Sequence, residues 1–231
     1  MSKKDEIRKQ REIQKKKTRI IIVAGIVVFA VLIVLAVALP QLKANSVPVG
    51  TIQLPDPITR PKVNGLSMGD PKAPILVEVY SDFQCPFCKK FTAEVEPGIV
   101  KDFVATGRVY YKYIPYRVIG PESDAAASAA YCAGDQNKFW EYHDILFANQ
   151  TDEEVGDFSD KRLLAFAEKI GLDTTSFKTC YTSNKYINQL RLDMNAGVQA
   201  KVDGTPSIYV NHTKVDPDKV YSAIAELLLP Q

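Results

Sequence analysis

Apolar positions fall into four patterns along the chain, and each predicts a different kind of element. The first is an unbroken run. Ile20 to Leu39 (IIIVAGIVVFAVLIVLAVAL) is twenty apolar residues without a charge. At about 1.5 Å per residue such a helix spans about 30 Å, the thickness of a bilayer core. A soluble helix would normally keep a polar face.

The second pattern is the short run rich in β-branched and aromatic residues. Ile75–Tyr80 (ILVEVY) predicts a buried strand, Arg108–Tyr113 (RVYYKY) a second strand closed by Pro115, and Ser207–Val210 a third. Asn211-His212 turns the chain, and Thr213–Val215 begins the partner strand. The third pattern is helical. One helix is expected from near Cys85 to about Ala105, interrupted at Pro97 and ended by Gly107. Residues 121–200 read as helical throughout, with candidates at 122–133, 138–148, 160–170 and 184–200. Gly171 is a C-terminal stop, and Ile187, Leu190, Met194 and Val198 share one face of the last helix. Asp216 is expected to cap a final helix with Pro217 at its first position. The fourth pattern is the lack of one. Residues 40–61 hold Pro40, Pro48, Pro55, Pro57 and Pro61 with little periodicity, which predicts an extended spacer. Residues 62–231 then form one domain.

The order is strand, helix, strand, a helical block of about 80 residues, two strands, helix. The first three make a right-handed parallel βαβ unit and the last two strands a hairpin. This predicts an α/β domain with an all-helical insert over about 121–200.

Charge adds orientation. The net charge is +2, but residues 1–19 carry nine Lys/Arg against three acids, and the remainder is −4. A basic block before an apolar span puts the N-terminus in the cytoplasm and everything after Leu39 outside, in a single-pass protein touching membrane lipid through 20–39. The competing reading is a signal peptide cleaved near Ala36-Val37-Ala38, although the run is longer than a usual signal core and its 19-residue lead is long. With no basic excess beyond residue 39, nucleic acid is not an expected partner.

The chemistry lies in the cysteines. Cys85-Pro86-Phe87-Cys88 follows a strand and opens a helix. There, free backbone N–H groups and the helix dipole favour a thiolate on Cys85, and the thiolate is the nucleophile of disulfide exchange. Cys88 is close enough to resolve a mixed disulfide, and Pro86 suits the first turn. Half of a zinc site is an alternative, but Cys132 and Cys180 lie 48 residues apart with only His143 and His212 to supplement them, which is wrong for ligand spacing. A purely structural CxxC bond would close too short a loop to contribute much. No metal or other cofactor is expected. His143, on an aromatic helix, and His212, in the hairpin turn, read as ordinary.

The segments VEVYSDFQCPFCKKF, NKFWEYHDILFANQ and GTPSIYVN together resemble the membrane-anchored DsbA-like thiol:disulfide oxidoreductases of the thioredoxin superfamily, over about residues 62–229. The resemblance implies a thioredoxin fold with a helical insert. It also implies a cis peptide before Pro206 that faces the CxxC and leaves the Thr205 backbone to pair with an extended substrate, with Pro86 and Phe87 beside it. An ordinary trans proline at a strand start is the alternative. Glu78, in the strand before the motif, is a candidate buried acid relaying a proton with Cys88, or else an edge-strand residue facing water. Asp82 reads as a solvated turn residue. Phe87 departs from the family's best-known oxidants, which carry His there, so Cys85 should be less acidified and its disulfide less oxidising. Outside the cytoplasm Cys132 and Cys180 are expected to pair, although separate buried thiols or a second redox pair remain open. The implied activity is oxidation of cysteines in exported proteins, with a membrane quinone-linked oxidoreductase as reoxidant. A reductase or isomerase of the same fold and a non-catalytic peptide-binding module are the rivals.

Overall fold

The computed structural model describes residues 22–23, 25–32, 34 and 49–229, in two units, 1–47 and 48–231. In the first unit the described residues are helical, with exposed apolar side chains such as Ile26, Phe29 and Leu32. Among the described residues no helix is long and apolar enough to cross a membrane. Residues 20–21, 24, 33 and 35–39 of the expected span lie outside them, as do the basic segment 1–19 and residues 40–48.

The second unit is built on a five-stranded sheet: β1 (Ser67–Met68), β2 (Ile75–Ser81), β3 (Val109–Pro115), β4 (Ser207–Val210) and β5 (Thr213–Val215), in the order β1-β3-β2-β4-β5. β2 and β3 are parallel, in register from Ile75↔Val109 to Ser81↔Pro115. β4 runs antiparallel to β2 and forms the expected hairpin with β5. The two-residue edge strand β1 was not expected. The helix after β2 comes in pieces: α1 (Pro86–Glu94), then α2 (Glu96–Ile99) running into a π-helical turn at Val100–Val104. The break falls at Val95, two residues before Pro97, which has no N–H to continue the ladder.

Between β3 and β4 lies the helical subdomain: α3 (Pro121–Gly134), α4 (Phe139–Asn149), α5 (Asp160–Lys169), α6 (Thr174–Thr182) and α7 (Ile187–Gln199). The Ala-rich face of α3 (Ala126, Ala129, Ala130, Ala133) is fully buried, and small side chains let α4 approach it closely. α4 is buried on almost every side. Gly171, at φ +71°, ends α5 as expected, and its N–H bonds back to Glu168 O. Asp173 caps α6 by accepting from Thr175 N and Ser176 N. Cys132 on α3 and Cys180 on α6 form a disulfide.

Three expectations need correction. On α7 the buried residues are Leu190, Asp193 and Gly197, while Ile187 and Val198 face solvent. Close approach and hydrogen bonding choose that face. A Cβ at Gly197 would lie 2.2 Å from the Tyr116 ring, and Asp193 accepts from Tyr131 Oη at 2.5 Å. The last helix, α8 (Val220–Leu227), starts beyond Pro217, because residues 216–219 close a turn through Lys219 N and Asp216 O.

The third concerns the spacer 40–61, whose described part is not free of the domain. Gln53 exchanges two hydrogen bonds with the Asn149 side chain, and Val49 O accepts from Arg162. Arg60 is buried over the Trp140 ring, with two 2.7 Å bonds to Asp144 and one of 3.1 Å to Glu96. These partners lie 36 and 84 residues away, so no local pattern reveals them. Burial pushes the Asp144 carboxyl up, but hydrogen bonds from His143 and Arg60 outweigh it and hold it below the usual carboxylate range.

Removing Arg60 leaves two buried carboxylates without their cation. Arg60→Ala should therefore cost about 3–5 kcal/mol in denaturant unfolding. A loss below about 1 kcal/mol would show that the strap is held by other contacts. Replacing Cys132 and Cys180 together by Ala opens a loop closed over 48 residues and should cost about 2–4 kcal/mol, leaving the potential of the CxxC pair unchanged. Full stability with a shifted potential would instead make this pair part of the redox chemistry.

Candidate active site

β2 delivers the chain to the site through a turn built by one side chain. Asp82 is 2% exposed, against the expectation of a solvated residue. Its Oδ1 accepts from Gln84 N at 2.9 Å, and its Oδ2 accepts from Val118 N at 2.7 Å and Ile119 N at 3.0 Å. The first of these is an Asx turn, for which Asp two residues before Gln84 is the sequence signal. The other two tie the turn to the loop after β3. Cys85 N donates to Asp82 O at 3.1 Å, and Cys85 becomes the N-cap of α1 with Pro86 at its first position.

Cys85 and Cys88 are both free thiols, 6% and 0% exposed. The Thr205–Pro206 peptide is cis, as the resemblance implied, and Thr205 lies against the pair. The Cys85 thiol donates to Thr205 O at 3.2 Å. The Cys85 pKa is lowered to about 6. The largest cause is the hydrogen bond from the Cys88 thiol. Burial opposes it, and the Thr205 side chain and the backbone N–H groups of Cys88 and Phe87 add to it. Cys88 moves the other way: burial pushes its thiol up and the neighbouring Cys85 sulfur adds to this, while the Ser81 hydroxyl and Asp82 N–H oppose. One sulfur is therefore an anion near neutral pH and the other a protonated thiol that stabilises it.

Phe87 is 70% exposed and stands over a groove of about 450 Å³ with Phe91, Val95, Thr205, Pro206 and Pro217. Lys90, Glu94 and Asp218 complete the lining. Pro86 is exposed at the helix start but is not among the lining residues.

Glu78 is not part of this arrangement. Val77, Val79 and Ser81 share one face of β2 and Glu78 points to the other. Its Oε2 lies 3.3 Å from His212 Nδ1, and the groups that act most on the Cys88 thiol are Cys85, Ser81 and the Asp82 N–H. His143 is buried, bonded through Nδ1 to Asp144 and ringed by Phe83, Tyr113 and Phe147. It belongs to the core beneath the site. Among the described residues no group of three His, Cys, Asp or Glu side chains is placed to hold a metal.

Residues 62–228 match the family model for thioredoxin. The chain is 31% identical over 156 residues to the probable disulfide bond formation protein D of Bacillus anthracis, covering 66% of this chain and 72% of that protein. It is 33% identical over 146 residues to the Na(+)/H(+) antiporter NhaA 1 of Salinispora arenicola, covering 62% of this chain but only 21% of that protein, about a fifth of its length. Among solved structures, oxidised BdbD from Bacillus subtilis superposes with a TM-score of 0.65 at 26% identity, covering 72% of this chain and 95% of that one.

The depressed Cys85 pKa has a signed consequence. In the reduced protein the folded state releases the Cys85 proton near pH 6 and the unfolded state near pH 9. Stability therefore rises with pH between these values and is lost as pH falls through about 6. Thiolate absorbance of the reduced protein should titrate near pH 6, and its melting temperature should gain on that of the oxidised protein as pH is raised toward 9. A midpoint near 9 would refute the assignment.

Proposed function

Because the chain belongs to the thioredoxin family, among its DsbA-like thiol:disulfide oxidoreductases, we propose that it oxidises cysteine pairs in exported proteins, anchored by residues 20–39 with its catalytic domain outside the cytoplasm. One observation carries the direction of the reaction. A Cys85 thiolate with a pKa near 6, hydrogen-bonded by a buried Cys88 thiol, stabilises the dithiol form, and stabilising the reduced form makes the disulfide a better oxidant. Phe87 adds no charge to this effect, so the backbone N–H groups, Thr205 and Cys88 supply all of it.

The cycle starts from the Cys85–Cys88 disulfide. A substrate thiolate attacks Cys85 Sγ, the intramolecular S–S bond breaks, and Cys88 leaves with the electron pair and takes up a proton. The substrate is then joined to Cys85. A second substrate thiolate attacks the substrate sulfur of this mixed disulfide and expels Cys85 as a stabilised thiolate. The substrate has lost two electrons and gained a disulfide, and the enzyme has gained both electrons. A membrane quinone-linked oxidoreductase is the proposed acceptor that restores the disulfide. The groove under Phe87 suits an extended peptide, with apolar side chains against Phe91 and Pro206 and main chain against Thr205.

Trapping tests the roles of the two sulfurs. Cys88→Ala should accumulate mixed disulfides with exported proteins through Cys85, and Cys85→Ala should not. Equal trapping by both variants would void the assignment. An equilibrium potential against glutathione as low as that of reducing thioredoxins, about −270 mV, would turn the proposal toward reduction.

A further inference from the structure

Gln84, the residue before Cys85, has every polar group engaged while only 1% exposed. Its N–H donates to Asp82 Oδ1 at 2.9 Å and its carbonyl accepts from Gln150 Nε2. Its Nε2 donates to Ser123 Oγ at 2.9 Å and to Glu154 Oε1 at 2.6 Å, and its Oε1 accepts from Glu154 N at 2.6 Å. The same loop reaches one turn further along α1, where Lys89 Nζ donates to Gln150 O at 2.6 Å.

The loop is itself held in place. Glu154 Oε1 also accepts from Glu122 N at 3.0 Å, and the Glu122 carboxylate accepts from Gly156 N at 2.7 Å and Phe158 N at 2.9 Å. Glu154 adopts φ +53°, a conformation costly for a residue with a side chain, which persists only where the surroundings over-determine it. Its carboxylate lies against Gly120, where a Cβ would come within 2.5 Å of Oε1.

We propose that Gln84, Gln150 and Glu154 are positioning residues for Cys85. The loop 150–158 of the helical subdomain grips the residue before the nucleophile and, through Lys89, the next turn of α1, and so holds the sulfur against the backbone N–H groups that stabilise its charge. The inference rests on the reading of Cys85 as the nucleophile.

The sign of the effect separates positioning from electrostatics. Glu154→Ala removes a negative charge, which by itself would move the Cys85 titration down. Loss of the grip loosens the N–H contacts and moves it up. The other groups around the turn, Asp82, Glu122, Lys89 and Cys88, are unchanged in this variant.

The experiment uses the reduced full chain in detergent and measures thiolate absorbance, Cys85 alkylation rate and melting temperature. Glu154→Ala should raise the titration midpoint by about one pH unit, which is about tenfold slower alkylation at a pH below both midpoints. Gly120→Ala touches neither cysteine but displaces the same carboxylate, so it should shift the midpoint in the same direction. Glu154→Gln, whose amide oxygen can accept the same two bonds, should stay near the parent value. A lower melting temperature with an unmoved or lowered midpoint in both Ala variants would overturn the inference while leaving the nucleophile intact. Titration of Cys88 rather than Cys85 in the parent protein would overturn both.

Discussion

A negative charge on one nearly buried sulfur is what the domain has to support. Cys85 can hold that charge only where donors converge on it, and a helix start is the place where a chain leaves backbone N–H groups unpaired. β2 must therefore end, turn sharply and begin a helix within four residues, which the Asp82 side chain accomplishes by accepting three backbone N–H groups. Cys88 must be near enough to donate to the thiolate and buried enough to keep its own proton, and α1 achieves this by packing that side of the helix into the core. Thr205, at the approach to β4, supplies the remaining wall.

Much of this was legible because local chemistry determines it. The CxxC at a strand–helix junction, the hairpin after Pro206, the glycine stop at Gly171 and the helical block over 121–200 each follow from residues close together in sequence. What was not legible depends on contacts between distant segments. Glu78 is the one acid of the predicted strand and Ser81 falls just past its predicted end, and only the pleat and the pairing with β3 and β4 put Ser81 beside Cys88 and Glu78 beside His212. Asp82 looks like a solvated turn residue until the loop after β3 is seen to need an acceptor. The hydrophobic pattern of α7 points to a different face because Gly197 and Asp193 carry no hydrophobic signal, although a close ring contact and a hydrogen bond turn them inward.

The Pro-rich strap illustrates the same limit at the domain boundary. Composition alone makes residues 49–61 a spacer, yet Arg60 bridges α2 and α4 from beneath, and the Tyr111 hydroxyl donates to the Glu96 carboxylate in that cluster. A buried ion pair contributes little net stability compared with an apolar substitute, but it is strict about geometry, because each charge is costly when its partner is misplaced. The cluster therefore fixes where the chain enters the domain.

The exposed Phe87 gives the proposed function its last physical constraint. A phenylalanine 70% exposed beside a nucleophile has no folding rationale, since burying it would be favourable. Phe91, Val95, Pro206 and Pro217 extend the same apolar surface, and the charges on its rim, Lys90, Glu94 and Asp218, are of mixed sign, with Lys90 paired weakly to Glu94 at 3.8 Å. Such a surface offers contact area without a strong electrostatic preference. Together with pairing through a backbone carbonyl, it would select extended chains with apolar side chains near a cysteine rather than one particular sequence. These features describe proteins before they fold, when their cysteines and core residues are still accessible. The site would then lose its grip on a substrate as that substrate folds and withdraws its apolar residues from the groove.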